Sequence, residues 1–177
     1  NGNDEIFGTG GSDRIDSRGG DDLVDARSGN DEVDAGDGND LVRLGLGDDA
    51  AFGGHGDDTL NGDGGIDILI GGLGLDILNG GTGGDYLFGQ LGTDTLSGEE
   101  GADELHGGED DDVLNGGGDD DILFGDAGND VLTGDTGNDA LNGGDGADTV
   151  WAGEGADALY GEGGDDDVDG RTRRQSR

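Results

Sequence analysis

The chain contains no cysteine, no proline and no lysine, and its 177 residues carry only eight positive charges, all arginine. Without cysteine, neither a disulfide nor a thiolate metal site can stabilise it. Without lysine there is no phosphate-binding P-loop. No apolar run approaches the roughly 20 residues of a membrane-spanning helix, so no membrane insertion is expected. No signal peptide is expected at Asn1. The most limiting shortage is hydrophobic: 28% of residues, with 4% aromatic. By composition alone such a chain is disordered, since it buries too little apolar surface to offset its ordering entropy. Fixing each residue's backbone costs about 1–2 kcal/mol. One buried aliphatic side chain in nine residues returns only about 1.5–3 kcal/mol. A stabiliser other than apolar burial is implied.

The abundant residues indicate its charge. Glycine supplies 46 residues and Asp plus Glu 45, and the net charge is −37. The missing stabiliser is therefore a cation. The same acidity argues against nucleic acid or an anionic membrane surface as a partner.

These residues are ordered along the chain. Gly80-Gly81-Thr82-Gly83-Gly84-Asp85-Tyr86-Leu87-Phe88 reads as GGxGxDxUx, with U a large aliphatic residue. The first six residues predict a turn that needs glycine at positions of positive φ. The last three predict a very short strand, with Leu87 on one face and Tyr86 and Phe88 on the other. An Asp then recurs every ninth residue without a slip: Asp4, Asp13, Asp22, Asp31, Asp40, Asp49, Asp58, Asp67, Asp76, Asp85, Asp94, Asp103, Asp112, Asp121, Asp130, Asp139, Asp148, Asp157 and Asp166. Two residues after each stands an aliphatic side chain, from Ile6, Ile15 and Val24 through the leucines Leu60 to Leu141 to Val150, Leu159 and Val168, with Ala51 the one small member. Two residues before each stands Gly, except where Asp110 and Asp119 replace it. Asp tolerates the left-handed region better than most residues, so those turns are expected to survive with some strain. One Asp of this kind is an ordinary solvated turn residue. All 19 in register point to metal ligation, whereas Asp21, Asp48, Asp57, Asp111, Asp120 and Asp165, each next to a motif Asp, are read as solvated.

A period this short and regular means a solenoid. The sequence resembles the RTX (repeats-in-toxin) calcium-binding nonapeptide family over residues 1–170. The resemblance implies an all-β parallel β-roll (β-solenoid) with two short-stranded parallel sheets, 18 residues per coil and about 9.5 coils. It further implies Ca²⁺ between successive loops on one edge, held by Asp carboxylates 18 residues apart, such as Asp67 with Asp85, and by carbonyls of the glycine-rich turns. Oxygen-only ligation suits Ca²⁺ better than Mg²⁺, which demands stricter octahedral geometry. Roughly 17 inter-loop sites are expected, and filling them would nearly cancel the charge of −37.

The strand residues flanking the inward aliphatic face outward. One sheet is expected to present Phe52, Ile70, Phe88, His106, Phe124, Asn142 and Tyr160 in a column, beside Ala50, Ile68, Tyr86, Glu104, Ile122 and Ala140. This column reads either as a surface for self-association or as side chains that favour strands and pack on their own neighbours. Leu46, Ile66, Leu73, Leu75 and Leu91 make a second apolar patch in the loops. No cap is read at either end, and end-to-end stacking of copies is one expected way to cover the open edges. Residues 171–177, with Arg171, Arg173, Arg174 and Arg177, read as a basic linker or disordered tail. The start at Asn1, in mid-repeat, suggests a piece of a longer or processed polypeptide.

No enzyme is expected. GxGxxG matches mean nothing in a chain one-quarter glycine, neither HExxH nor GxSxG occurs, and His55 and His106 lie far apart in the register. The favoured reading is a calcium-dependent structural or adhesive module of a secreted bacterial protein, unfolded without Ca²⁺ and extracellular or on the cell surface. The alternative is the C-terminal folding and secretion domain of a type I-secreted toxin, protease or lipase whose active module lies elsewhere.

Overall fold

The computed structural model describes residues 2–170; the segment read as a basic tail, 171–177, lies outside them. The described residues form strands and turns alone. Three short strands come first, Glu5–Phe7 (β1), Arg14–Asp16 (β2) and Leu23–Asp25 (β3). Fifteen six-residue strands follow, from Glu32–Asp37 (β4) to Ala158–Gly163 (β18), and Asp167–Asp169 (β19) closes the series. Odd-numbered strands form a 10-stranded parallel sheet and even-numbered strands a 9-stranded one, each in sequence order. The chain therefore winds as a β-solenoid of about nine turns. Every pairing joins residues 18 apart, as in Leu87↔Leu69 and Leu87↔Leu105.

The aliphatic at the second position after each motif Asp fills the space between the sheets. From Val24 to Val150 these side chains are fully or almost fully buried. Ile6, Ile15 and Leu159 pack against that column from the terminal coils. Val168, expected inside, is 42% exposed, because its strand is the last among the described residues and none of them forms a further coil over it.

The expected division into a six-residue turn and a three-residue strand is corrected. In Tyr86–Leu91 the ladder runs through Tyr86, Leu87 and Phe88, skips Gly89, and resumes at Gln90↔Gly72 and Leu91↔Leu73. The first half of the glycine-rich segment is thus paired strand. It bends because the residue after the skipped glycine is left-handed, with φ of 80° at Gln90 and 111° at Gly81. Arg18, Arg27, Asp63, Gln90, Glu99, Asp126, Asp135 and Glu162 hold positive φ at this position without being glycine. Asp110 (79°) and Asp119 (77°) adopt the left-handed conformation expected of them. At Gly101, two residues before Asp103, a Cβ would stand 1.3 Å from the carbonyl oxygen of Gly83, so that turn admits glycine alone.

Candidate metal centre

Each motif Asp sits where a strand begins, and its backbone is committed to the ladder. The carbonyl oxygen of Asp67, for example, accepts the N–H of Tyr86 at 2.9 Å. The carboxylates are linked in the opposite sense. Asp49 donates its N–H to Asp67 Oδ1 at 2.8 Å, and Asp67 donates its own to Asp85 Oδ1 at 2.8 Å. The pattern begins at Asp4 with Asp22 and ends at Asp148 with Asp166, so all 19 motif aspartates belong to one of two such ladders, one along each edge of the roll.

These carboxylates are not solvated. From Asp22 to Asp148 the motif aspartates are at most 4% exposed, whereas Asp4, Asp13, Asp157 and Asp166 in the end coils are more open. Oδ1 is satisfied by the neighbouring coil. Oδ2 of all fifteen aspartates from Asp22 to Asp148 is buried with no hydrogen-bond partner. A buried, unpaired anionic oxygen is costly, and here it repeats at every coil. Burial is the main cause that raises these carboxyls, to about 7 at Asp58, Asp67, Asp112 and Asp121 and to about 6 at Asp94, Asp103 and Asp130. The backbone N–H donated to Oδ1 opposes the shift, and aspartates one coil away add to it, as Asp85 and Asp49 do at Asp67.

The space beside Oδ2 is kept by glycine. A Cβ built at Gly62 would lie 2.4 Å from Asp67 Oδ2 and 2.5 Å from the carbonyl oxygen of Gly80, the residue opposite in the next coil. The Asp67 carboxylate oxygen and the Gly80 carbonyl oxygen thus close on the face of Gly62, where a side chain has no room. Among the described residues no three acidic or histidine side chains converge as a metal cluster. A cation here would depend chiefly on carbonyls, with one or two carboxylates, and that oxygen-only donor set fits a hard ion of Ca²⁺ size.

A second ladder escaped the sequence reading. Of the flanking aspartates read as solvated, Asp21, Asp48, Asp57, Asp111 and Asp120 are exposed, yet each accepts a backbone N–H from the coil that follows. Examples are Leu75 N–H to Asp57 at 3.0 Å and Asn138 N–H to Asp120 at 2.7 Å. Asn39, Asn129 and Asn138 continue the pattern. The available signal was the excess of Asn and Asp one residue before the motif Asp, 18 residues apart.

The outward column aligns as expected, Phe52↔Ile70, Phe88↔His106 and Asn142↔Tyr160. Its centre packs on itself. The His106 ring is stacked on Phe88 at 5.0 Å and on Phe124 at 4.7 Å, with Glu104 at 3.0 Å and Asp126 at 3.4 Å from its two nitrogens. Ile68, Tyr86 and Ile122 alongside, and Tyr160 at one end, stay exposed. The loop leucines do not form one patch: Leu46 and Ile66 lie on the edge after odd-numbered strands, Leu73, Leu75 and Leu91 on the other. Among the described residues no helix is long and apolar enough to cross a membrane.

The family model of the RTX calcium-binding nonapeptide repeat (four copies) matches residues 1–33, 34–69, 61–96, 70–105, 97–132 and 133–168. No curated protein matches the chain.

Proposed function

The chain belongs to the RTX calcium-binding nonapeptide repeats, and from that premise we propose that it is an extracellular structural or adhesive roll that Ca²⁺ locks into shape. The family and fold make it a calcium-binding β-roll, a structural repeat and not a catalytic fold. The proposal adds that the 19 motif aspartates supply the carboxylate ligands, that the chain is unfolded without the ion, and that it does no catalysis of its own. One observation carries it: fifteen buried Asp Oδ2 atoms with no partner. A divalent cation bound there would neutralise both carboxylate ladders, and binding energy available only to the folded state becomes folding energy. The chain's own residues do the rest: the Asp N–H groups hold Oδ1, which leaves Oδ2 for a cation, and the buried leucine column lies behind the carboxylates.

Association of copies through the sheet bearing Phe52, Ile70, Phe88, Phe124 and Tyr160, or by end-to-end stacking, belongs to the same proposal. The exposed Ile68, Tyr86, Ile122 and Tyr160 favour the sheet face.

A calcium titration followed by circular dichroism tests the reading, from EDTA to about 10 mM Ca²⁺, beyond the range of most extracellular sites. A cooperative coil-to-β transition, reversed by chelator and weakly reproduced by Mg²⁺, is the expected result. A chain with the same β signal in EDTA as in calcium would refute the metal lock.

A further inference from the structure

We infer that the sheet of even-numbered strands carries a repeated cradle for an uncharged glycan chain; this deepens the adhesive reading above and rests on it. Two cavities open on that sheet. One, of about 330 Å³, lies between Phe52, Ile70, Leu73 and Gln90 over a floor at Gly72. The other, of about 220 Å³, lies between Phe124, Asn142, Asp145 and Glu162 over Gly144. Each of these residues in the second cavity stands 72 positions after its counterpart in the first. The two are one cradle repeated four coils on, about 19 Å along the roll.

A two-coil alternation builds it. Rings recur every 36 residues, at Phe52, Phe88, Phe124 and Tyr160. Beside them runs the left-handed position, which alternates Gly72, Gln90, Gly108, Asp126, Gly144 and Glu162 across paired coils. Glycine opens the floor in one coil, and a polar side chain walls it off in the next. Gly54 breaks the alternation where the second cavity has Asp126, and the first cavity is the larger. The cell between the two is shut, because the His106 ring lies stacked on Phe88 and Phe124.

Each open cell offers an aromatic ring, bare backbone and a hydrogen-bonding arm. No Lys or Arg lies between Arg43 and the end of the described residues, so an anionic ligand would meet only acids. A purely apolar ligand would leave Asp145 and Glu162 facing it unpaired. A sugar satisfies both halves: the C–H face of a pyranose packs on a ring, and its hydroxyls donate to amide and carboxylate oxygens. Rings two coils apart are about 9.6 Å apart. That is the length of two sugars in an extended β-1,4-linked chain, in which every second sugar turns the same way.

Titration calorimetry of the full chain in saturating calcium tests this, with cellohexaose as probe and an anionic oligogalacturonate of equal length beside it. Cellohexaose should bind and oligogalacturonate should not. Gln90→Gly and Glu162→Gly remove the arms while keeping a residue suited to the left-handed backbone, and Phe52→Ala removes a ring. Each should weaken binding about five- to tenfold, whereas Ile77→Ala, exposed on the opposite sheet, should leave it unchanged. No binding of cellohexaose, or equal weakening by Ile77→Ala, overturns the inference. Self-association that Phe52→Ala abolishes, with no glycan bound, gives the sheet to a second copy and overturns it too. The calcium-driven circular dichroism transition is read separately, so a chain that folds in calcium but ignores the sugar refutes the glycan alone. If Phe52→Ala fails to fold, the two glycine variants still decide.

Discussion

Asp67 donates its backbone N–H to Asp85 Oδ1 at 2.8 Å across the boundary between two coils. The side chain proposed to offer an oxygen to a cation is therefore also a bracket for the coil before it. On that proposal stability and cation affinity are coupled at each motif Asp, and a pair of substitutions separates them.

Asp85→Ala removes the acceptor and leaves the Asp67 N–H buried and unpaired, which costs about 1–3 kcal/mol. Asp85→Asn keeps a carbonyl oxygen for that N–H and loses only the charge. In saturating calcium the Ala variant should unfold earlier than the Asn variant, while both raise the calcium midpoint over the wild type. Denaturant unfolding and a calcium titration, run on both proteins, check this.

The metal-free chain should be more stable in acid. Burial raises Asp58, Asp67, Asp112 and Asp121 to about 7 from the ordinary 3.8, so between these values the folded state binds more protons than the unfolded one. Their contribution is complete below pH 3.8 and lost as pH rises through 7. In EDTA, circular dichroism should show more β structure at about pH 4.5 than at pH 8. A signal that strengthens toward pH 8 would contradict the burial of these groups.

Asp110 and Asp119 are left-handed at a position where other units have glycine. Glycine adopts that conformation without the Cβ penalty. Asp110→Gly and Asp119→Gly should each gain up to about 1 kcal/mol, discounted from the full left-handed cost because Asp tolerates the region. Gly101→Ala should do the opposite, since its Cβ would meet the Gly83 carbonyl oxygen at 1.3 Å. Chemical denaturation in calcium measures all three.

Leu87 is completely buried in the aliphatic column. Leu87→Ala should cost about 2–5 kcal/mol. Because each coil touches only its neighbours, hydrogen exchange should quicken most in the strands around Leu69, Leu87 and Leu105.

Much of this was legible because the period is nine and the coil 18: a residue's neighbours in space can be counted off along the chain. That fixed Leu87 beside Leu69, the alternation of units between two sheets, and the left-handed Asp110. The errors arose where the local pattern looked like loop. Gly89-Gln90-Leu91 reads as turn by composition, but the coils on either side supply ladder partners that extend it as strand. Asp57 reads as a solvated acid until the N–H of Leu75, one coil later, is placed beside it. The spacing put the Asp67 carboxylate in register with its neighbours, but that its Oδ2 is buried without a partner, against a glycine face, shows only in three dimensions.

The outer ladder of Asn and Asp side chains has a gap. It runs from Asn3 through Asp57 to Leu75 on one edge and from Asp48 to Ile66 on the other, then resumes at Asp111 and Asp120. Between them Ile66, Leu75, Gly84 and Ala102 have no side-chain oxygen to offer the coil that follows, and Thr93 has only a hydroxyl. Within the gap this outer fastening is missing, and the loops are joined by the buried carboxylates and by backbone bonds such as Gly74 N–H to Leu91 and Gly83 N–H to Glu100. A roll pulled by its two ends would yield first in that stretch, so the sequence sets a fracture plane near the midpoint, and the carboxylates there are the ones on which a bound cation would bear mechanical load.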